Sequence, residues 1–157
     1  MSLNIYSTFA CSHQECATLI RTNGAKISYI IEGEPGIGKS SILKTLEKQM
    51  GDAYEYIYVD VPLKDIPDIA LSMPDHATQT TKAFINEIWK GKDLSKPKVI
   101  MLDEIFKGTP YVQLMMNRLL LEKTVGDYKL PENSIVFGTT NFATDGVGDK
   151  TNGHTNS

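Results

Sequence analysis

Arginine is nearly absent, with only Arg21 and Arg118 in 157 residues. Enzymes that move phosphoryl groups between small molecules usually bring several arginines to their phosphates, because the planar guanidinium fork matches phosphate oxygens. A small-molecule kinase is therefore the weaker alternative. Cysteine is scarce as well. Cys11 and Cys16 are the only two, and with His13 they match no zinc spacing, so free thiols are expected rather than a disulfide framework or a metal centre. No apolar run approaches the roughly 20 residues needed to cross a bilayer. The opening MSLNIYSTFACSHQECA lacks the basic start and apolar stretch of a secretory signal. A cytoplasmic protein without membrane contact is expected. Excess positive charge is missing too: 16 Lys and Arg stand against 19 Asp and Glu, which excludes a broad electrostatic grip on nucleic acid but not a local contact. No N-K-x-D guanine-reading pattern occurs, which speaks against a GTPase.

What is present suits one soluble globular domain, with 41% hydrophobic and 22% charged residues in a chain long enough to bury its own core. Lys90, Lys92, Lys96 and Lys98 cluster in KGKDLSKPK, where a helix exit into a loop predicts solvated lysines. Ser12 to Glu15 forms a capping-box pattern ahead of a short helix that stops at Asn23-Gly24. Residues 27–32, ISYIIE, read as a buried strand. Residues 40–50 read as a helix with Ile42, Leu43, Leu46 and Met50 on one side, ended by Gly51. YEYIYVD at 54–60 is a second strand. An irregular loop is expected at 61–75, broken by Pro62, Pro67 and Pro74, then a helix over 77–90 with Phe84, Ile85, Ile88 and Trp89 on one face. KVIMLDE at 98–104 is a third strand, apolar throughout as in a parallel sheet covered on both sides. A helix from Pro110 to Glu122 follows, then a fourth strand, SIVFGTTN, at 134–141. Residues 142–157 hold almost nothing for a core and read as a loop or disordered tail, with Asp145, Asp149 and His154 matching no calcium loop. Strands alternating with helices specify an α/β fold with a mainly parallel sheet.

Three stretches at strand ends converge on one chemistry. Gly33-Glu34-Pro35-Gly36-Ile37-Gly38-Lys39-Ser40 satisfies G-x-x-x-x-G-K-[ST]. Phosphate oxygens need several donors from one side; glycines let backbone N–H groups face inward, and the following helix, with Ser41 in its first turn, adds its positive end. Lys39 is expected to reach the β and γ phosphates of ATP, and the Ser40 hydroxyl to bind Mg²⁺. Asp103 and Glu104 close the third strand, where open α/β sheets bind ligands. An aspartate there can hold the metal and a glutamate can activate a water. Asn141 ends the fourth strand and offers both a donor and an acceptor to the γ-phosphate or the attacking water.

Together these residues resemble the AAA+ ATPases, with Walker A in GEPGIGKS, Walker B in VIMLDE and a sensor-1 asparagine in SIVFGTTN. The stretch DEIFKGTPYVQLMMNRLLLEKTV is similar to the DEINR-type segment of MoxR-like, often phage or bacterial, members, from which Phe106 and Lys107 depart. The resemblance implies a three-layer P-loop core with the first strand beside the fourth, then the third, then the second. It also implies a fifth strand, a helical lid and an arginine finger, none of which the 157 residues provide, so a partial nucleotide-binding domain with weak turnover is expected. Implied partners are ATP or ADP, further copies in a hexameric ring, and a protein substrate to be remodelled. A DNA-associated loader or motor is the other alternative. Ile66, Ile69, Leu71 and Met73 of the 61–75 loop face either a partner or their own sheet.

Overall fold

The computed structural model describes residues 10–34, 38–39 and 41–141; the proposed tail at 142–157 lies outside them. Ser12 caps α1 (His13–Asn23) as the sequence requires: its Oγ accepts from Glu15 N at 3.2 Å, while Glu15 Oε1 accepts from Ser12 N. There follow β1 (Tyr29–Gly33), α2 (Ser41–Met50) and β2 (Glu55–Asp60). Gly51 takes φ 71°, the left-handed conformation that stops α2 as expected. The chain continues through β3 (Ala70–Asp75), β4 (Thr80–Ile85), β5 (Lys98–Asp103), α3 (Pro110–Glu122), β6 (Thr124–Val125), β7 (Tyr128–Lys129) and β8 (Ile135–Asn141). Pro110 opens α3 at a position where its missing N–H costs no hydrogen bond.

Four strands form the main sheet in the order β1-β8-β5-β2, every pair parallel. This is the expected first-fourth-third-second order. Side chains alternate across it. On one face Val99, Met101, Ile135 and Phe137 pack against Ala17 and Ile20 of α1 and Ile42, Leu43 and Leu46 of α2. On the other, Ile57, Val59, Ile100, Leu102 and Val136 pack against Val112, Met116, Leu119 and Leu120 of α3. The result is a three-layer α/β fold. Strand β5 is buried over Lys98 to Leu102, as two covered faces demand. Strand β1 is only half-buried, and Ile27 just before it is exposed; among the described residues it has no sheet neighbour on its other side. No described helix is long and apolar enough to cross a membrane.

Three local expectations are overturned. Residues 77–90 are not a helix: Thr80–Ile85 pairs antiparallel with Ala70–Asp75, and only a 3-10 turn, Glu87–Trp89, follows. The β-branched Thr80 and Thr81 favour the strand, and Asp75 closes the hairpin by accepting from Ala77 N and Thr78 N. Of the proposed stripe, Trp89 enters the core while Phe84 is exposed. The second half of the expected 61–75 loop is thus a strand. Lys98, read as solvated, is fully buried; its amine meets Glu55 Oε1 at 2.7 Å and the Asp93 carbonyl at 2.6 Å.

Candidate nucleotide site

The C-terminal ends of the parallel strands carry a continuous polar row on the α2 side. Gly33 ends β1 and pairs with Asn141 at the end of β8. Between these two strand ends lies the Lys39 side chain, almost buried at 8% exposure. Its Nζ donates to the Gly33 carbonyl at 3.0 Å, the Thr140 carbonyl at 2.9 Å and Asn141 Oδ1 at 2.7 Å. All three acceptors are neutral. Gly38, just before it, has φ 85°, a conformation that a side chain would strain.

Asn141 connects the lysine to the acidic pair. While Oδ1 accepts from Lys39, its Nδ2 donates to Glu104 Oε2 at 3.4 Å. Glu104 sits just past β5 with φ 57°, unusual for a residue with a side chain. What holds it there is β8: Glu104 N donates to Thr139 Oγ1 at 3.2 Å and Ile105 N to the Thr139 carbonyl at 3.0 Å. Gly138 makes that approach possible, since a Cβ there would come within 3.2 Å of Ile105. Lys107 pairs with Glu104 Oε2 at 2.9 Å.

Asp103 is held from both sides. Tyr58 donates to Oδ2 and Thr139 to Oδ1, each at 2.5 Å. These hydroxyls are neutral, so they orient the carboxylate without cancelling its charge. Desolvation first, then the bond to Asp103, pushes the Tyr58 phenol well above its ordinary range and keeps it a donor.

The expected site residues therefore divide. Gly33, Lys39, Asp103, Glu104 and Asn141 meet along one sheet edge. Glu34 is exposed, and Ser41, at the start of α2, donates to the Gly38 carbonyl at 2.6 Å and contacts His13 Nε2 at 2.9 Å. Pro35, Gly36, Ile37 and Ser40 lie outside the described residues. Tyr58 and His13 were not expected as members. Burial, then Cys11, pushes the Cys16 thiol up to about 11, too high for a thiolate near neutrality.

A magnesium site needs only one or two protein oxygens, the phosphates and water supplying the rest. Asp103, oriented by the Tyr58 and Thr139 hydroxyls, fits that requirement.

No curated protein matches the chain. Among solved structures, one from Cytophaga hutchinsonii, described as a candidate ATPase, aligns with TM-score 0.48 and 21% identity; the match covers 82% of this chain and 38% of that one. The AAA domain of the dynein-related subfamily matches residues 28–134, from just before β1 to just before β8. That span takes in the GEPGIGKS stretch and the acidic pair Asp103 and Glu104, and with it the chain belongs to the dynein-related subfamily of AAA domains.

Proposed function

We propose that this chain is an AAA+ nucleotide-binding domain that binds ATP with Mg²⁺ and hydrolyses it within an oligomeric, hexameric ring acting on a protein partner. The observation that carries the reading is the state of Lys39. A nearly buried ammonium rests on three neutral oxygens, and among the described residues no carboxylate pairs with it. Buried charge of that kind favours an anion. A triphosphate outcompetes carbonyl dipoles for it, so the internal contacts form a displaceable resting state.

In this reading Gly33, Glu34, Pro35, Gly36, Ile37, Gly38, Lys39, Ser40 and Ser41 form the phosphate-binding stretch. Ser40 and Asp103 hold the metal, which when bound supplies electrostatic stabilisation at the phosphate oxygens. Glu104 accepts the proton of the attacking water. Asn141 links that carboxylate to Lys39, so displacement of the lysine by phosphate frees the amide to orient the water or the γ-phosphate. The two arginines are placed elsewhere. Arg118 pairs with Glu122 and donates to the Gly126 carbonyl, and Arg21 lies in the last turn of α1. Since a trans-acting arginine is worth about 10³–10⁵ in rate, this chain by itself is expected to bind ATP and turn it over slowly.

The partner-facing part of the proposal is supported by the β3-β4 ribbon, which leaves Leu71, Met73 and Phe84 exposed. The test of the central reading is Lys39→Ala: ATP binding measured by calorimetry should vanish while the far-ultraviolet circular dichroism stays unchanged. Retained affinity refutes the phosphate role. Light scattering with and without ATP tests assembly, and an unchanged mass at saturating nucleotide counts against the ring.

A further inference from the structure

Tyr58 belongs to neither the phosphate-loop motif nor the acidic pair, yet it touches the aspartate at the centre of the row. The contact follows from register. In the parallel pairing of β2 and β5, Tyr58 stands opposite Met101, so Asp103, two residues on, projects from the same face of the sheet. An aromatic side chain spans that diagonal. On the other flank, Met101 stands opposite Phe137 of β8, which puts Thr139 on this face as well. Donors from two different strands therefore grip the two carboxylate oxygens.

Burial does not demand the Tyr58 contact. The residue as a whole is 45% exposed. The hydroxyl instead donates directly to Asp103 Oδ2, and an O–H donor to a carboxylate makes a charge-assisted bond. A carboxylate offers about four lone-pair sites. Two hydroxyls occupy one on each oxygen, fix the rotation of the group and leave the remaining sites for a cation or its waters.

We propose that Tyr58 is a positioning residue that holds the Asp103 carboxylate in one orientation toward the divalent cation accompanying the nucleotide. The inference rests on Asp103 as the metal-holding carboxylate. Without the phenol, Asp103 keeps its charge and its bond to Thr139 but regains rotational freedom, which cation binding must then remove. The phosphate loop itself is untouched. The defect should therefore appear in the metal dependence of nucleotide binding and not in metal-free binding.

The experiment is calorimetric titration of ATP into the 157-residue chain, in EDTA and at increasing MgCl₂, for the wild type, Tyr58→Phe and Asp103→Asn. Tyr58→Phe should raise the Mg²⁺ concentration for half-maximal tightening by about tenfold, the scale of one lost bond to a charged group, with EDTA affinity unchanged. Asp103→Asn should raise it further. A Tyr58→Phe curve superimposed on wild type while Asp103→Asn shifts overturns the role of Tyr58 and leaves that of Asp103 standing. Curves unchanged in both variants overturn Asp103 as metal holder, and the inference with it. Each affinity ratio is taken within one variant, so a general loosening of the fold does not imitate the shift. Tyr58→Leu, with the same hydroxyl removed, must give the same displacement; if it and Tyr58→Phe disagree, the hydroxyl is not the cause.

Discussion

Lys39 and Lys98 are both buried lysines at strand ends of one sheet, and they are satisfied in opposite ways. Lys98 lies at the N-terminal end of β5, fully buried, with Glu55 Oε1 at 2.7 Å and the Asp93 carbonyl at 2.6 Å. Glu55 in turn accepts from the backbone N–H groups of Lys92 and Asp93. That cluster is closed, with charge meeting charge and each group held by its neighbours. Lys39, at the opposite end, has three oxygen partners and no carboxylate among the described residues. The same side chain is a structural rivet where its counter-charge is built in, and in the proposed function it is a ligand-ready group where the counter-charge arrives from outside. Burial alone does not separate the two roles.

Lys39→Ala should break the comparison most severely on the binding side, weakening ATP affinity by at least about a hundredfold, whereas Lys98→Ala should leave affinity unchanged wherever the variant is folded. Equilibrium titration of both variants is the check. Glu104→Gln acts on the same row at a later step. It should lower the hydrolysis rate by about 10²–10⁴, measured as phosphate release, with ATP affinity nearly intact. Lys98→Ala should reverse the pattern, losing about 2–3 kcal/mol in urea unfolding because Glu55 is left without its cation; the partial exposure of Glu55 keeps the loss below that of a fully buried pair.

The smallest effect concerns acid. Glu55 is held down to about 2, by its bond to Lys98 first and then by the Lys92 amide. A carboxyl depressed in the folded state binds fewer protons there than in the unfolded chain. Its stabilisation is complete above its ordinary value of 4.5 and is lost as the pH falls from there toward 2. Glu55→Gln should flatten the acid limb of a pH-dependent melting curve between those limits; a limb of unchanged slope contradicts the closed cluster.

How much of this was written in the chain depends on whether the signal is contiguous. GEPGIGKS, VIMLDE and GTTN are local strings, and Gly33, Asp103 and Asn141 from them each close a strand. The sheet order matched because the order implied by the family resemblance applied. Tyr58 escaped notice since its role requires the register of β2 against β5, which no local pattern encodes; within YEYIYVD it reads as one more strand aromatic. Lys98 was misjudged for a related reason, as its neighbours Lys90, Lys92 and Lys96 suggest solvent while its partner Glu55 lies 43 positions away. The stretch Thr80–Ile85 misled in another way. Phe84, Ile85, Ile88 and Trp89 satisfy a helical period by spacing, and the competing strand preference of Thr80 and Thr81 wins because Ala70–Asp75 is there to pair with it. The two-residue strands Thr124–Val125 and Tyr128–Lys129 were too short for periodicity to register.

The most direct test of the central claim follows both lysine amines in one sample. With lysine side chains labelled with ¹⁵N at Nζ, ATP is titrated into the chain in the presence of Mg²⁺ and the ammonium resonances are recorded at each step. The account predicts that the Lys39 signal moves to a new position at saturation while the Lys98 signal stays where it was. A Lys39 resonance unmoved by bound ATP, or displaced no more than that of Lys98, would contradict it.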